Sequence, residues 1–228
     1  MNILDTISDI IFPSYCIACG KRGVDLCLDC LFKAPPALRE NAEWIFPLFD
    51  YRHQTIKESI WLLKYKGRKK LAKIFAEVMY GRIVEELADL RMIKNFREAL
   101  LIPIPLSNTR HRERSYNQAE LICRELIRLD NESNLRHSVD VGQDKNFEFD
   151  KNILIKTKET EHQARIKERA ERLKNLENSF AVKNPDKIKN RNVILVDDVT
   201  TTGATLEEAK KALKKSGAKN IIAFTVAH

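Results

Sequence analysis

The chain has 228 residues, of which 43% are hydrophobic and 32% are charged. This length suffices for one α/β core with a small appendage, and the composition excludes a disordered chain or a repeat array. The formal net charge of +8 favours ligands that carry phosphate, or nucleic acid, although lysines on the wet face of a helix account for part of it.

The first twelve residues, MNILDTISDIIF, do not have the features of a secretory signal. They lack a basic segment, they carry Asp5 and Asp9 within the apolar stretch, and they show no small-residue cleavage site. Their apolar residues recur at helical spacing, which predicts an amphipathic helix that docks on the body of the protein or on a partner. Because no later apolar run approaches the roughly 18 residues that a membrane span needs, a cytoplasmic protein is expected.

Four of the five cysteines form two CxxC pairs, Cys16 with Cys19 and Cys27 with Cys30. Two such pairs present four thiolates in a geometry suited to tetrahedral zinc, and four protein ligands leave no position for water or substrate. Disulfides are the alternative, which a reducing cytosol disfavours. A structural zinc ion is therefore expected in a module of residues 1–36. The fifth cysteine, Cys123, is expected to be buried as a small apolar side chain.

Helical and strand patterns then alternate along the chain. In order, they predict a strand or hairpin piece over Trp44–Tyr51, a helix from about Thr55, a helix over Leu71–Leu90, a strand over Ala99–Pro105, a helix from about Asn117, a strand over 153–156, a charged helix over 161–176 and a strand over Ser179–Val182. An arginine-rich loop is expected after the strand that ends at Pro105. Residues 130–150 are interpreted as a polar loop or insertion with one weak strand-like patch.

The end of the chain has the clearest local pattern. It predicts the strand Val193–Val196, the loop DDVTTTGAT, the helix Leu206–Lys215 ended by Gly217, and the strand Ile221–Val226. This alternation argues for an α/β domain over residues 37–228, with a mostly parallel sheet and flanking helices.

Asp197 and Asp198 are placed by this pattern at the carboxyl end of a strand, where parallel α/β sheets bind their ligands. Two adjacent carboxylates are costly there unless hydroxyls, basic groups or a metal compensate them, as a ribose diol or hydrated Mg²⁺ would. Consecutive strand residues point to opposite faces, so the turn is expected to re-aim one of the two acids.

The residues after the acids are suited to holding one anion, because hydroxyls, backbone amides and the positive end of a helix converge there. A phosphate monoester fits this pattern. The residues are Thr201, Thr202, Gly203, Ala204 and Thr205. An acid-rich turn with threonine caps is the alternative, which a shorter motif would favour.

The whole run VILVDDVTTTGAT, from Val193 to Thr205, resembles the signature with which type I phosphoribosyltransferases bind 5-phosphoribosyl 1-pyrophosphate (PRPP). The resemblance implies that Asp197 and Asp198 hold the ribose 2′ and 3′ hydroxyls while Thr201 to Thr205 hold the 5′-phosphate. It also implies Mg²⁺ as a cofactor. If catalysis occurs, pyrophosphate is displaced at the anomeric carbon of the ribose, with Asp197 and Asp198 as the catalytic candidates.

Other segments resemble the ComF family, in which the cysteine tetrad is also typical. A strand that ends in PxP, a basic segment and an aromatic-Asn-Gln helix start are matched by Pro103, Pro105, Arg110, Arg114, Tyr116, Asn117 and Gln118. A T-x-x-Q and R-x-x-N spacing before a terminal Phe is matched by Thr160, Gln163, Arg172, Asn175 and Phe180. Ser115 stands where many relatives have glycine, which implies a stiffer loop.

The basic segments leave alternatives open. Lys64 and Lys66 lie where the resemblance places a loop that faces pyrophosphate, but a basic helix end facing water is the alternative. Arg110 and Arg114 follow a buried strand at the same sheet edge as the acids, so they are candidates for contacts with pyrophosphate or with DNA phosphates.

The expected function is that of a ComF-family, phosphoribosyltransferase-like protein that binds PRPP with Mg²⁺ and acts in natural competence and DNA uptake, with competence proteins as partners. The alternatives are a competence factor that binds single-stranded DNA, with Tyr65 among its stacking surfaces, and a PRPP sensor without turnover. Motifs of hydrolases and of nucleotide triphosphatases are absent from the sequence. The acceptor base and the oligomeric state are left open, although dimers are common in the fold by resemblance.

Overall fold

A computed structural model describes residues 13–38, 42–137, 146–158 and 177–228. The helices expected over residues 1–12 and 161–176 lie outside these ranges, as do the family-matched positions Thr160, Gln163, Arg172 and Asn175. Within the described ranges, no helix combines the length and the apolar character needed to cross a membrane.

Seven strands are described, and five of them form one parallel sheet. The strands are β1 (Ile45–Phe49), β2 (Ala99–Pro103), β3 (Phe147–Phe149), β4 (Leu154–Lys156), β5 (Phe180–Val182), β6 (Val193–Val199) and β7 (Ile221–Ala227). The order in the sheet is β1, β7, β6, β2, β3, with every neighbouring pair parallel. β4 and β5 form a separate antiparallel pair. The central strand is therefore β6, which carries both acids.

The described helices cover both faces of the sheet. They are α1 (Leu28–Leu31), α2 (Gln54–Tyr65), α3 (Lys70–Lys94), α4 (Asn108–Arg114), α5 (Gln118–His137) and α6 (Ala204–Lys215). Alternation along β6 sends Ile194 and Val196 into a core shared with α2, α3 and α5, and Val193 and Leu195 into a second core shared with α6, β4 and β5. The expected α/β class, with a mostly parallel sheet and flanking helices, is confirmed.

Most of the predicted elements are confirmed near their expected bounds, including β1, α2, α3, β2, β4, β5 and the C-terminal βαβ unit. All five residues of β2 are buried, as its continuous apolar run predicts. Cys123 is fully buried in α5. These elements have strong periodicity or long apolar runs, and tertiary packing did not have to override their local preferences.

Three expectations were wrong. The arginine-rich segment after β2 is not a loop but α4, whose first turn is capped by the Ser107 hydroxyl accepting from the amide of Arg110 at 3.4 Å. Residues 130–150 are not one loop, because α5 continues to His137 and β3 adds a strand at the sheet edge. The loop DDVTTTGAT starts later than expected, because β6 runs through both acids to Val199.

The cysteine segment shares a core with the sheet. Leu26 and Leu31 have no exposed surface, and they belong to the same apolar cluster as α2 and α3. The segment after it pairs with the edge strand β1, since the amide of Ala37 donates to Leu48 O at 3.1 Å. The division into modules of residues 1–36 and 37–228 stays a prediction.

Ser115 gives a test of backbone strain at the end of α4. Its φ of +62° is left-handed, a region in which a non-glycine side chain is strained. We expect Ser115→Gly to raise the free energy of unfolding by about 1 kcal/mol, measured by urea unfolding at constant m-value. The matched control is Ser216→Gly at the end of α6, where φ is −92° and the hydroxyl donates to Ala212 O at 3.1 Å. That change should lower the free energy of unfolding, and equal effects of the two would contradict the strain argument.

Candidate functional site

The predicted ligand residues lie at the carboxyl end of the central strand. β6 lies between β7 and β2, and the amide of Thr200 donates to Ala227 O at 2.9 Å, which anchors the turn after β6. Parallel strands present their carboxyl ends at one edge of a sheet, so the acids, the turn and the segment after β2 share that edge.

Asp197 and Asp198 both lie within β6 rather than in the turn. The Asp197 carboxylate accepts from the amide of Asp198 at 2.8 Å, and Asp198 Oδ1 lies 2.7 Å from Lys64 Nζ. The side chains of this ion pair are only 16% and 11% exposed, so water screens it little. The expectation that the turn re-aims one acid was wrong, because the strand itself carries both.

Asp197 titrates far from its ordinary range. Burial is the largest cause and the charge of Asp198 the next, and together they raise the pKa of Asp197 from 3.8 to about 7, against the opposing effects of Lys64 and Arg110. The unfolded chain loses this proton first, so the folded protein loses stability as pH rises from about 4 towards 7. A ligand that donates hydrogen bonds or brings positive charge to Asp197 would relieve that cost.

The turn from Thr201 to Gly203 leads directly into α6. No backbone acceptor within the described chain pairs with the amides of its three residues. Gly203 is the residue before α6, with φ of +73°, and a Cβ there would lie 3.4 Å from the Ile45 side chain. The turn therefore brings these amides and the Thr202 hydroxyl next to the positive end of a twelve-residue helix, an arrangement that suits a phosphate group.

Arg110 and Arg114 differ in their surroundings. Arg110 is half-buried and lies close enough to lower the pKa of Asp197. Arg114 is buried, donates to Gln118 Oε1 at 3.0 Å and to the Tyr65 hydroxyl at 3.2 Å, and stacks on the Tyr65 ring at 5.0 Å. No carboxylate pairs with Arg114 within the described residues, and its Nε has no acceptor. A buried guanidinium without an acid favours binding of an anion.

Lys66 lies apart from the acids. It is exposed, and its Nζ lies 5.2 Å from the centre of the Trp61 ring. The structure thus brings Lys64 and Arg110 towards Asp197 and Asp198, but it does not bring Lys66 to them.

Tyr116 and Asn117 position the segments around the site. The Tyr116 hydroxyl donates to Leu63 O at the end of α2. The Asn117 amide donates to Ile104 O at 2.9 Å after β2, while its oxygen accepts from the amide of Ala119 at 3.0 Å and so caps α5. The family-like YNQ motif therefore holds the end of α2, the end of β2 and the start of α5 together.

Trp61 is a residue that the sequence reasoning missed. It is 45% exposed, and its ring lies 6.3 Å from that of Tyr65, which is 51% exposed. The two aromatic residues are four apart on α2, so their spacing on a helix could have predicted a shared face.

The four cysteines of the two CxxC pairs form a cluster that can hold a metal ion. Their sulfur atoms all lie within 4.8 Å of one another, and Cys27 Sγ lies 3.8 Å from Cys16 Sγ and 3.7 Å from Cys19 Sγ. Tetrahedral zinc with Zn–S bonds of about 2.3 Å separates its sulfurs by about 3.8 Å, whereas a disulfide requires about 2.05 Å. All four cysteines are free, so the donor set and its spacing fit a tetrahedral metal.

The thiol pKa values also favour a cation in the cluster. Burial raises the pKa of Cys16, but the backbone amides of Cys27, Cys19 and Ala18 outweigh it and lower that pKa to about 6. The neighbouring side chains of Cys27 and Cys19 are the main causes that raise the pKa of Cys30 to about 12. One thiolate forms readily, and a second negative charge beside it requires a positive partner.

Comparison with known proteins places this site in a wider group. A family model described as the phosphoribosyl transferase domain matches residues 148–228. The DNA utilization protein YhgH of Shigella flexneri is 28% identical over 211 residues, which cover 90% of this chain and 80% of that protein. Competence protein F of Haemophilus influenzae is 35% identical over 122 residues, which cover 53% of this chain and 46% of that protein.

Two further matches extend the comparison. Competence protein ComFC of Streptococcus pneumoniae is 29% identical over 179 residues, which cover 78% of this chain and 66% of that protein. Among solved structures, a hypoxanthine phosphoribosyltransferase of Trypanosoma cruzi has a TM-score of 0.38 at 11% identity, and this chain spans 64% of its length.

The matched regions contain the structural features described above. The matched phosphoribosyltransferase domain includes β6, the turn and α6, and the alignments with the competence and DNA utilization proteins extend over most of the chain in two of the three cases. Together with the cysteine cluster, these similarities support the assignment of the chain to the ComF family, with a phosphoribosyl transferase domain over residues 148–228.

Proposed function

We propose that the protein binds PRPP together with Mg²⁺ and acts as a phosphoribosyltransferase in natural competence and DNA uptake. The observation that carries the proposal is the pair Asp197 and Asp198 near the end of the central strand, followed after Thr200 by a turn that opens α6 and whose amides have no backbone acceptor within the described residues. One part accepts hydrogen bonds and the other holds an anion, which are the two needs of ribose 5-phosphate.

In this proposal the acids hold the ribose. The Asp197 and Asp198 carboxylates accept hydrogen bonds from the 2′ and 3′ hydroxyls. These bonds stabilise the charged form of Asp197 and offset part of the free energy that its burial costs. Lys64, which pairs with Asp198 at 2.7 Å, moves from the carboxylate towards the diphosphate when the ribose is bound. The 5′-phosphate accepts from the amides and hydroxyls of the residues from Thr201 to Thr205.

The diphosphate has cationic partners at the same edge. Lys64 and Arg110 lie close to the acids, and the buried charge of Arg114 lacks a carboxylate within the described chain. Lys66 reaches the diphosphate only if the exposed segment that carries it closes over the site. Mg²⁺, when bound with PRPP, would neutralise diphosphate oxygens and support their departure.

The reaction that we propose is a displacement at the anomeric carbon. A nucleophilic atom of the acceptor forms a bond to that carbon, while the bond to pyrophosphate breaks and its electron pair leaves with pyrophosphate. The protein supplies position and charge rather than a nucleophile of its own. The acids hold the sugar, and the basic side chains hold the leaving group.

The acid pair gives the direct test. We expect Asp197→Asn and Asp198→Asn each to weaken PRPP binding about 10- to 100-fold, because each removes a charged hydrogen-bond acceptor. The measurement is titration calorimetry with PRPP and excess Mg²⁺. The matched control is Asp186→Asn, at an exposed acid in the 3₁₀ turn before β6, which should leave the affinity unchanged.

Unchanged affinity in the double variant Asp197→Asn/Asp198→Asn would refute the assignment of the ribose site. Turnover is read separately, as pyrophosphate release from PRPP across a panel of nucleobases. Release that is lost in the double variant supports the transferase, whereas binding without release for every base tested identifies a PRPP sensor.

We also propose that Cys16, Cys19, Cys27 and Cys30 hold a structural zinc ion. Four thiolate ligands close the coordination shell, so this ion stabilises the module and takes no part in the reaction.

Metal analysis of the purified protein tests this proposal, with about one zinc expected per chain. Cys27→Ser should lose the metal. If the free energy of unfolding falls by about 3 kcal/mol, the melting temperature should fall by roughly 6–12 °C. Cys123→Ala, at the buried cysteine outside the cluster, is the control that should keep the metal. A metal-free wild type with an unchanged melting temperature in Cys27→Ser would contradict the assignment.

A second candidate function is the binding of single-stranded DNA, which the Trp61–Tyr65 face favours. Two exposed rings lie side by side on α2, with Lys66 beside Trp61 and the guanidinium of Arg114 beneath Tyr65. Exposed aromatic rings next to cations bind successive bases by stacking, without a requirement for sequence. A name that denotes DNA utilization in a relative agrees with this candidate.

Trp61→Ala should weaken binding of a short single-stranded oligonucleotide about tenfold or more, because one stacking surface is lost. Fluorescence anisotropy at several salt concentrations measures the effect. The salt slope should be unchanged in Trp61→Ala and smaller in Lys66→Gln, since only the second change removes a charge. Phe32→Ala, at a residue that is 67% exposed outside this face, is the matched control. Equal affinities in all three variants would remove the Trp61–Tyr65 face from DNA binding.

A further inference from the structure

The last two residues of α2 and the turn after it, residues 64–69, which we call the basic loop, are tied to two distant parts of the chain. At one end, Lys64 Nζ lies 2.7 Å from Asp198 Oδ1 in the central strand. At the other end, Arg68 Nη1 lies 3.1 Å from Asp25 Oδ1 between the two CxxC pairs. The basic loop therefore connects the cysteine cluster with the ligand site.

Asp25 depends for its position on the fold of the cysteine segment. It lies two residues before Cys27, and its backbone oxygen accepts from the amide of Ile17 at 3.0 Å, next to Cys16. Only 5% of Asp25 is exposed, and its sole ionic partner within the described chain is Arg68. A buried carboxylate is strongly disfavoured without a partner, so this ion pair is more than an exposed surface contact.

Few side-chain contacts hold the outer part of the basic loop. Gly67 has φ of +68°, and no atom lies within 4 Å of the Cβ that a larger residue would carry there. Lys66, Gly67 and Lys69 are exposed, although Lys69 Nζ lies 4.8 Å from the Tyr116 ring. The amides of Lys66 and Arg68 donate to Leu62 O at 3.0 and 3.4 Å, which ties the backbone of the loop to α2. The Arg68–Asp25 ion pair is the contact that links the outer part of the loop to the cysteine segment.

We propose that Asp25 and Arg68 are positioning residues through which the metal-loaded cysteine module sets the position of Lys64, and so the affinity of the ligand site. The inference rests on the proposed function of that site. Loss of the metal releases the four cysteines and with them Asp25, so Arg68 loses its partner and the basic loop moves. Lys64 then no longer lies where it meets both Asp198 and the diphosphate.

The test uses the full chain and two readouts. The first is the PRPP dissociation constant in excess Mg²⁺, with and without a zinc-selective chelator. The second is the emission of Trp61, which lies one helical turn before Tyr65 and beside Lys66. The chain has two tryptophans, so a Trp44→Phe background makes Trp61 the only one. In that background Arg68→Gln removes the anchor and Arg68→Lys keeps its charge.

We expect Arg68→Gln to weaken PRPP binding about five- to tenfold while keeping a full complement of metal. Chelation should weaken PRPP binding by the parent protein by a similar factor and shift its Trp61 emission. It should change the PRPP affinity of Arg68→Gln little further, because that variant has already lost the contact between Arg68 and Asp25. Arg68→Lys should recover most of the affinity. The matched control is Arg124→Gln, at an arginine that is 54% exposed and paired with Glu120 at 2.7 Å, which should behave as the parent protein.

Two outcomes would overturn the proposal. One is a PRPP affinity of Arg68→Gln equal to that of the parent protein, and the other is a loss of PRPP affinity on chelation that is as large in Arg68→Gln as in the parent. Arg68→Gln retains all four cysteines, so its result does not depend on whether chelation also loosens the core. Failure of the proposed function has a different signature, namely PRPP binding that Asp197→Asn and Asp198→Asn leave unchanged. In that case the Trp61 emission still shows whether metal loss reaches the basic loop.

Discussion

Two adjacent carboxylates at the end of the central parallel strand are the constraint on which the rest of the site depends. Asp197 and Asp198 are consecutive residues of β6, the first half-buried and the second buried, and burial and the charge of Asp198 raise the pKa of Asp197 to about 7. Such a pair persists only where hydrogen bonds and cations offset its charge. The amide of Asp198 and the ammonium of Lys64 supply part of that compensation within the chain.

The surrounding elements bring this compensation to the acids. Lys64 lies in the last turn of α2, whose end is held by the Tyr116 hydroxyl at the entrance to α5. Asn117 joins the same entrance to the end of β2. Arg110 enters from α4, which follows β2 at the same edge of the sheet. The site is thus assembled by segments far apart in the chain, which meet because parallel strands end at one edge.

The cysteine segment adds a second constraint. It carries few apolar residues of its own, yet Leu26 and Leu31 are fully buried in the core that holds α2 and α3. Its four free thiols lie within 4.8 Å of one another, a donor set and a spacing that fit a tetrahedral metal. The segment therefore contributes both to the core and, through Asp25, to the surroundings of the basic loop.

The amino-acid sequence by itself determined the α/β class, the strand and turn that carry the acids, and the cysteine tetrad, because local periodicity and spacing encode these features. It predicted α4 as a loop and ended α5 too early, since NTRHRER and the residues after Asp130 lack an apolar stripe. In the fold, Arg114 of α4 contacts Tyr65, and Asp130 of α5 accepts from the amide of Asn146. Only the tertiary structure decided that Lys64 pairs with Asp198, that Arg114 is buried against Tyr65 and that Arg68 reaches Asp25. Each of these contacts joins residues more than forty positions apart, and no local pattern encodes which of many basic side chains a fold brings to a given acid.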